Sequence, residues 1–82
     1  MEKTWKLYIL RCRDGSLYTG ITTDVRQRLD AHNSGKGAKY TRSRKPVELV
    51  YQEACVDHSH ALRRELEIKA MKREQKLKLI EK

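Results

Sequence analysis

Arg28 and His32 stand four residues apart in LYTGITTDVRQRLDAHN, residues 17–33. On a helix, that spacing sets a guanidinium and an imidazole one turn apart, where both converge on a single ligand. Upstream, Tyr8 and Tyr18 each sit in an alternating apolar run, and Gly20 lies two residues past the second. Far downstream, Glu65 interrupts an apolar helical pattern. A carboxylate turned inward costs on the order of several kcal/mol unless it meets a cation or a metal. Its partner is therefore either Arg28 or a divalent hard cation, for which one carboxylate completed by waters and a phosphate is a usual Mg²⁺ arrangement.

These groups act together only if the chain holds them together. TWKLYILRC (4–12) and SLYTGIT (16–22) alternate in polarity and are rich in aromatic and aliphatic residues, which predicts two strands with RDG as the hairpin between them. A two-residue turn at Asp14-Gly15 pairs Tyr8 with Ile21 and sends the tyrosines to opposite faces. A three-residue loop, Arg13-Asp14-Gly15, with Gly15 left-handed, pairs Cys12 with Ser16, Leu10 with Tyr18 and Tyr8 with Gly20. That second register puts Leu7, Ile9, Leu17 and Ile21 on one apolar side, and register follows the hydrophobic pattern. It is the register expected, and it leaves open space over Gly20 beside a tyrosine hydroxyl.

TDVRQRLDAHN (23–33) predicts a helix capped by Thr23 or Asp24. At about 100° per residue, Val25, Arg28, Leu29 and His32 share one stripe. Val25 and Leu29 anchor it, and Arg28 and His32 ride at its edge. Residues 34–46 form a basic loop with a short helical turn, and VELVYQEAC (47–55) predicts a third strand. From Asp57 the pattern is helical. Ala61, Leu62, Leu66 and Ile68 define the buried side with Glu65 between them, and Glu67 turns outward to Arg63 and Arg64. A break near residues 71–73 precedes a closing helix docked by Leu77 and Ile80. The order is ββαβα, an α+β arrangement.

A chain of 82 residues makes one domain and buries only about 60% of its unfolded surface. Lys and Arg number 19 against 11 Asp and Glu, a net charge of +8, which draws polyanions and favours nucleic acid or an anionic membrane as partner. No apolar run approaches the ~20 residues of a membrane span and no signal-peptide core opens the chain, so no membrane partner and a cytoplasmic location are expected. Cys12 and Cys55 lack zinc-site spacing, with His58 and His60 crowding Cys55, and are expected as reduced thiols.

Taken together, these residues resemble the GIY-YIG nuclease superfamily, in its small, single-domain bacterial branch of YhbQ-like proteins. KLY (6–8) stands at the GIY position and YTG (18–20) at the YIG position. VRQRLDAH carries the family arginine as Arg28, with His32 one turn later, and ALRRELEIK (61–69) resembles the segment bearing the metal-binding glutamate, here Glu65. The match runs from Trp5 to Met71. Lys6-Leu7 replaces Gly-Ile, no Asn follows Asn33 where several members carry one, and the separate DNA-binding domain of larger members has no counterpart.

The resemblance implies the GIY-YIG fold, a small three-stranded antiparallel sheet flanked by helices. It also implies metal-dependent hydrolysis of phosphodiester bonds in DNA, structure-tolerant and of a repair or processing type. In that reading Glu65 holds one divalent cation, Mg²⁺ or Mn²⁺, and Arg28 contacts the scissile phosphate. Tyr8, ahead of Tyr18, accepts the proton of the attacking water, and Tyr18 orients water or phosphate. His32 assists proton transfer or holds a phosphate, and Gly20 leaves the space. Arg28 and the metal are expected to pull the phenol below its free pKa of about 10.

GKGAKYTRSRK (35–45) arranges Lys36, Lys39, Arg42, Arg44 and Lys45 around Tyr40 and has no Walker pattern. It reads as an arm that contacts the nucleic-acid backbone without selecting sequence, DNA before RNA, with Tyr40 stacking on an unpaired base. Target selection then falls to a protein partner. Two other functions fit the charge. One is a nucleic-acid-binding protein that keeps the nuclease fold with little or no turnover, and the other is a module that docks on an acidic protein.

Overall fold

The computed structural model describes residues 4–81. Its elements are β1 (Lys6–Arg11), β2 (Leu17–Thr22), α1 (Val25–Asn33), α2 (Lys39–Arg42), β3 (Glu48–Ala54), α3 (His58–Lys69) and α4 (Arg73–Ile80). This is the ββαβα order, with the helical turn in the basic loop appearing as α2 and the last helical stretch broken into α3 and α4. The three strands form one antiparallel sheet in the order β2-β1-β3.

The central strand is buried on both faces, so Leu7, Tyr8, Ile9 and Leu10 are all inaccessible to solvent. Even-numbered and odd-numbered residues serve different cores. Tyr8 and Leu10 pack with Cys12, Val47, Tyr18, Leu49 and the Val25 and Leu29 anchors of α1. Leu7 and Ile9 pack with Cys55, Ala61 and Ile68, joined by Leu17, Ile21, Leu79 and Ile80. The sheet is thus covered by α1 on one side and by α3 and α4 on the other. The closing helix docks through Leu79 and Ile80, with Leu77 half-buried.

The hairpin adopts the three-residue loop. Gly15 has φ +86°, its N–H donates to the Cys12 carbonyl at 2.9 Å, and the Cys12 N–H donates to Ser16 at 2.9 Å. Tyr8 consequently faces Gly20 and Leu10 faces Tyr18. On the other edge, β3 shifts register between Ile9 and Leu10, where Ile9 faces Tyr51 but Leu10 faces Leu49. Residues two apart on a regular strand share a face. The bulge frees Leu49 to join Leu10 while Val50 and Tyr51 join the opposite core.

Of the two caps expected for α1, Asp24 is the one used, and Asp57 caps α3. Asp24 accepts the Gln27 N–H at 3.0 Å and Asp57 accepts the His60 N–H at 2.8 Å. The buried side of α3 differs from the expected one. Ala61 and Ile68 are fully buried, Arg64 and Glu65 are half-buried, and Leu62 and Leu66 lie on the exposed side. The reason is polar. Arg64 Nε meets both carboxylate oxygens of Glu53 on β3, at 3.0 and 3.1 Å, and the Tyr51 hydroxyl donates to the same carboxylate at 2.7 Å. Turning Leu62 and Leu66 inward would strip Glu53 of its cation. Cys12 and Cys55 are buried free thiols, and no helix among the described residues is long and apolar enough to cross a membrane.

The two sides of α3 predict unequal mutational costs. Leu66→Gln should change stability by less than about 0.5 kcal/mol, while Ile68→Ala should cost about 2–5 kcal/mol, both read from urea unfolding midpoints. Equal costs would place the buried stripe back on the leucines.

Candidate active site

The site begins with a glycine that makes room for a ring. Tyr8 lies across the strand from Gly20, where a Cβ would come within 2.5 Å of the Tyr8 hydroxyl oxygen and 2.7 Å of Cζ. The phenol therefore runs flat over the bare backbone of β2, and the space expected to stay open over Gly20 is filled by the ring itself. Its hydroxyl lies 3.1 Å from Nε2 of His32, which reaches in from α1 with none of its surface exposed. On the far side of that ring, Nδ1 is 2.7 Å from Oγ1 of Thr41, and the Thr41 hydroxyl is 2.9 Å from the Ala38 carbonyl. Tyr18 completes the aromatic wall, with ring centroids 5.1 Å from His32 and 6.4 Å from Tyr8. Tyr40 stacks beyond it at 6.1 Å.

The loop that carries Thr41 is tied down along its length. Helix α1 ends at Gly35, φ +84°, with the Lys36 N–H returning to Ala31 at 2.8 Å and the Gly35 N–H to His32 at 3.2 Å. That pairing is a Schellman motif, which requires the left-handed residue. A Cβ on Gly37 would overlap the His32 ring, so this backbone lies directly against the imidazole. At the far end the Asn33 side chain accepts the Val47 N–H at 2.7 Å and donates to the Val47 carbonyl at 3.0 Å.

Charges converge on the Tyr8 hydroxyl from two more elements. Arg28, exposed on α1, reaches close enough to pull the phenol pKa down, and Glu65 on α3 pushes it up. Burial outweighs both, and with Tyr18 adding to it the Tyr8 pKa is pushed up to about 12. Burial also lowers His32 below its ordinary value, assisted by the Arg28 charge. Glu65 is largely covered, its side chain 19% exposed, and is paired with Lys69 at 3.5 Å.

A model of the GIY-YIG catalytic domain matches residues 4–78. The chain belongs to the GIY-YIG family. A UPF0213 protein of Staphylococcus haemolyticus is 60% identical over 75 residues, covering 92% of each chain. One from Staphylococcus aureus is 57% identical over 74 residues, covering 90% of each. Among solved structures, the solution structure of a UPF0213 protein from Bacillus halodurans superposes with a TM-score of 0.62. It is 49% identical and covers 95% of this chain and 83% of its own. A protein from E. faecalis gives a TM-score of 0.63 at 44% identity, covering 92% of this chain and 80% of its own.

In this GIY-YIG domain, Tyr8, Tyr18, His32 and Gly20 are in one cluster, with Arg28 and Glu65 within electrostatic reach of it. Three expectations change. Glu65 pairs with Lys69 rather than with Arg28, because Lys69 stands one turn along the same helix face, 3.5 Å away. The Tyr8 phenol is raised rather than lowered, because desolvation of a buried phenolate exceeds the pull of one guanidinium. His32 has both ring nitrogens occupied and no exposed surface, which leaves it nothing with which to hold a phosphate. The basic loop also divides its charges. Arg44 lies 4.1 Å above the Tyr40 ring, pairs with Asp14 at 3.1 Å and donates to the Tyr40 carbonyl at 2.8 Å. Lys36, Lys39, Arg42 and Lys45 are exposed and enter no ion pair among the described residues.

Sequence reasoning passed over Asn33, Gly37 and Thr41, which hold the loop against His32. In the sequence the five cations of the segment overshadow them. The signal was the uncharged pair inside it, a glycine and a threonine four residues apart. For a metal, the donor set is a single half-buried carboxylate, and no group of three His, Cys, Asp or Glu side chains clusters among the described residues. That suits a hydrated hard cation completed by substrate oxygens, and does not suit a zinc cage.

Two outcomes follow. Gly20→Ala should displace the Tyr8 ring and destabilise the fold by about 1–3 kcal/mol, read from urea unfolding. His32 is held below its unfolded pKa of about 6.5, so its contribution is present above that pH and is lost as pH falls through the lower folded value. Melting temperatures measured from pH 7.5 down to 5 should therefore fall more steeply for the wild type than for His32→Gln.

Proposed function

We propose that this domain hydrolyses phosphodiester bonds in nucleic acid, DNA before RNA, as a metal-dependent nuclease of broad structural tolerance. One observation carries the reading. The Tyr8 hydroxyl meets a buried imidazole at 3.1 Å, and a guanidinium and a carboxylate from two other elements are close enough to act on it, where burial of the ring calls for one partner alone.

The chemistry of each group follows from its place. With its pKa near 12, Tyr8 is protonated at neutral pH and is a poor base by itself. A proton leaving the phenol has an acceptor at 3.1 Å in Nε2 of His32, a ring kept neutral by burial. On this reading substrate binding uncovers the Tyr8 hydroxyl, 1% exposed in the free domain, to the attacking water, and Tyr8 takes that water's proton as its own passes to His32. The water oxygen bonds to phosphorus, the bond to the leaving sugar oxygen breaks, and that oxygen takes a proton from solvent. Arg28 binds the scissile phosphate and offsets the charge that grows in the transition state. Tyr18, half-exposed beside both rings, orients the water or a phosphate oxygen.

Glu65 is the residue that would hold a single Mg²⁺ or Mn²⁺, and a cation bound there supplies Lewis-acid stabilisation to the phosphate and leaving oxygens. Lys36, Lys39, Arg42 and Lys45 contribute contacts to the phosphate backbone, which are sequence-independent and salt-sensitive. Choice of target is left to a protein partner, and repair or processing of irregular DNA is the matching role.

Supercoiled plasmid, branched DNA and RNA of matched sequence, each incubated with Mg²⁺ or Mn²⁺, test this reading. The wild type should nick at least one of them. Glu65→Ala or chelator should abolish cutting while affinity stays within about twofold, since one carboxylate facing a polyanion adds nothing to binding. Arg28→Ala should lower the cleavage rate about 10²–10³-fold. Salt-sensitive binding with no cutting of any substrate would return the domain to a binding role.

A further inference from the structure

The direction of each hydrogen bond around His32 follows from which atoms have a proton to give. The Ala38 carbonyl has none, so the Thr41 hydroxyl, 2.9 Å away, donates to it. A hydroxyl carries one proton. With that proton committed, Thr41 Oγ1 faces Nδ1 of His32, at 2.7 Å, as an acceptor. Nδ1 therefore bears the ring proton. A neutral imidazole has only one, so Nε2 presents its lone pair and the Tyr8 hydroxyl, 3.1 Å away, donates to it.

The opposite assignment is costly here. Turning the Thr41 proton to Nδ1 leaves the Ala38 carbonyl with the Thr41 backbone N–H at 3.1 Å and sets two oxygens 2.9 Å apart with no proton between them. Thr41 and His32 are both fully buried, where mispaired polar atoms cost most. Nor is the ring free to turn over, because the Gly37 backbone lies against Nδ1 and Cγ and both ends of the loop are pinned.

We propose that Thr41 is a positioning residue of this site, whose hydroxyl, anchored by the Ala38 carbonyl, fixes His32 as the Nδ1–H tautomer and so keeps Nε2 open to the Tyr8 proton. The catalytic consequence rests on the nuclease reading. The tautomer rests on hydrogen-bond geometry alone. When the Tyr8 proton moves to Nε2, Nδ1 keeps its proton and its acceptor, so the imidazolium forms without breaking the bond to Thr41. The oxygen does for orientation what a carboxylate does in a hydrolytic triad, without adding a buried charge. Residues 37–41 thus form the clamp on the proton-transfer pair, and the cations beside them point to solvent.

Nitrogen-15 NMR of the histidine rings, with cleavage rates alongside, tests this on the wild type, Thr41→Ser and Thr41→Val. His32 of the wild type should show a protonated Nδ1 and a lone pair at Nε2. Thr41→Ser should keep that pattern and cleave within about threefold of wild type, while Thr41→Val should lose the pattern and fall on the order of 10-fold or more. A wild-type His32 protonated at Nε2 overturns the assignment outright, and that measurement needs no variant to fold. A folded Thr41→Val that cuts at the full rate overturns the positioning role. If the wild type cuts nothing, the nuclease reading fails, and the ring spectra still decide whether Thr41 sets His32.

Discussion

The contact on which this site depends is the one between the Tyr8 hydroxyl and Nε2 of His32, made 3.1 Å apart inside the protein. It joins the central strand to α1, the helix whose Val25 and Leu29 pack on that face of the sheet. It exists because Gly20 removes the side chain that would otherwise occupy the space beneath the phenol. Two polar rings taken out of water at this point must find partners within the fold, or the burial would cost more than a domain this small has to spare. The rest of the α1 side is arranged to supply them.

That requirement explains the basic loop better than its charge does. Thr41 answers the second ring nitrogen, Gly37 lets the backbone approach, the left-handed Gly35 turns the chain off α1, and Asn33 holds the start of β3. Arg44 spends its donors on Asp14 and the Tyr40 carbonyl and lies over the Tyr40 ring. A segment rich in lysine and arginine is thereby held in one shape by its uncharged residues and by one internal arginine. The four remaining cations are exposed and enter no ion pair among the described residues.

The opposite face follows the same logic with different groups. The bifurcated bond from Arg64 Nε to both Glu53 oxygens, with Tyr51 on the same carboxylate, sets the rotation of α3 about its axis. The rotation that buries Ala61 and Ile68 also turns Glu65 inward enough for its charge to be felt at Tyr8, and it puts Leu62 and Leu66 in solvent. A structural ion pair on the β3 side and the candidate metal-holding carboxylate are therefore coupled through one rigid helix.

The element order, a helix cap at Thr23 or Asp24 and the hairpin register were legible in the chain itself, because each is decided within a few residues. Period-two alternation, the loop of three residues and the need for glycine at φ +86° left one register that sorts polar from apolar. The identities of Tyr8, Tyr18, Arg28, His32 and Glu65 were legible too, as polar residues set in apolar patterns. Only tertiary structure decided which stripe of α3 is buried. The pattern set Ala61, Leu62, Leu66 and Ile68 on one buried side, and the pairing of Arg64 with a residue eleven positions away turned the two leucines out. The proton affinity of Tyr8 was likewise out of reach, since burial is a property of everything packed around the ring. Thr41 completes the pair from nine residues beyond His32, across a loop whose path no local rule sets.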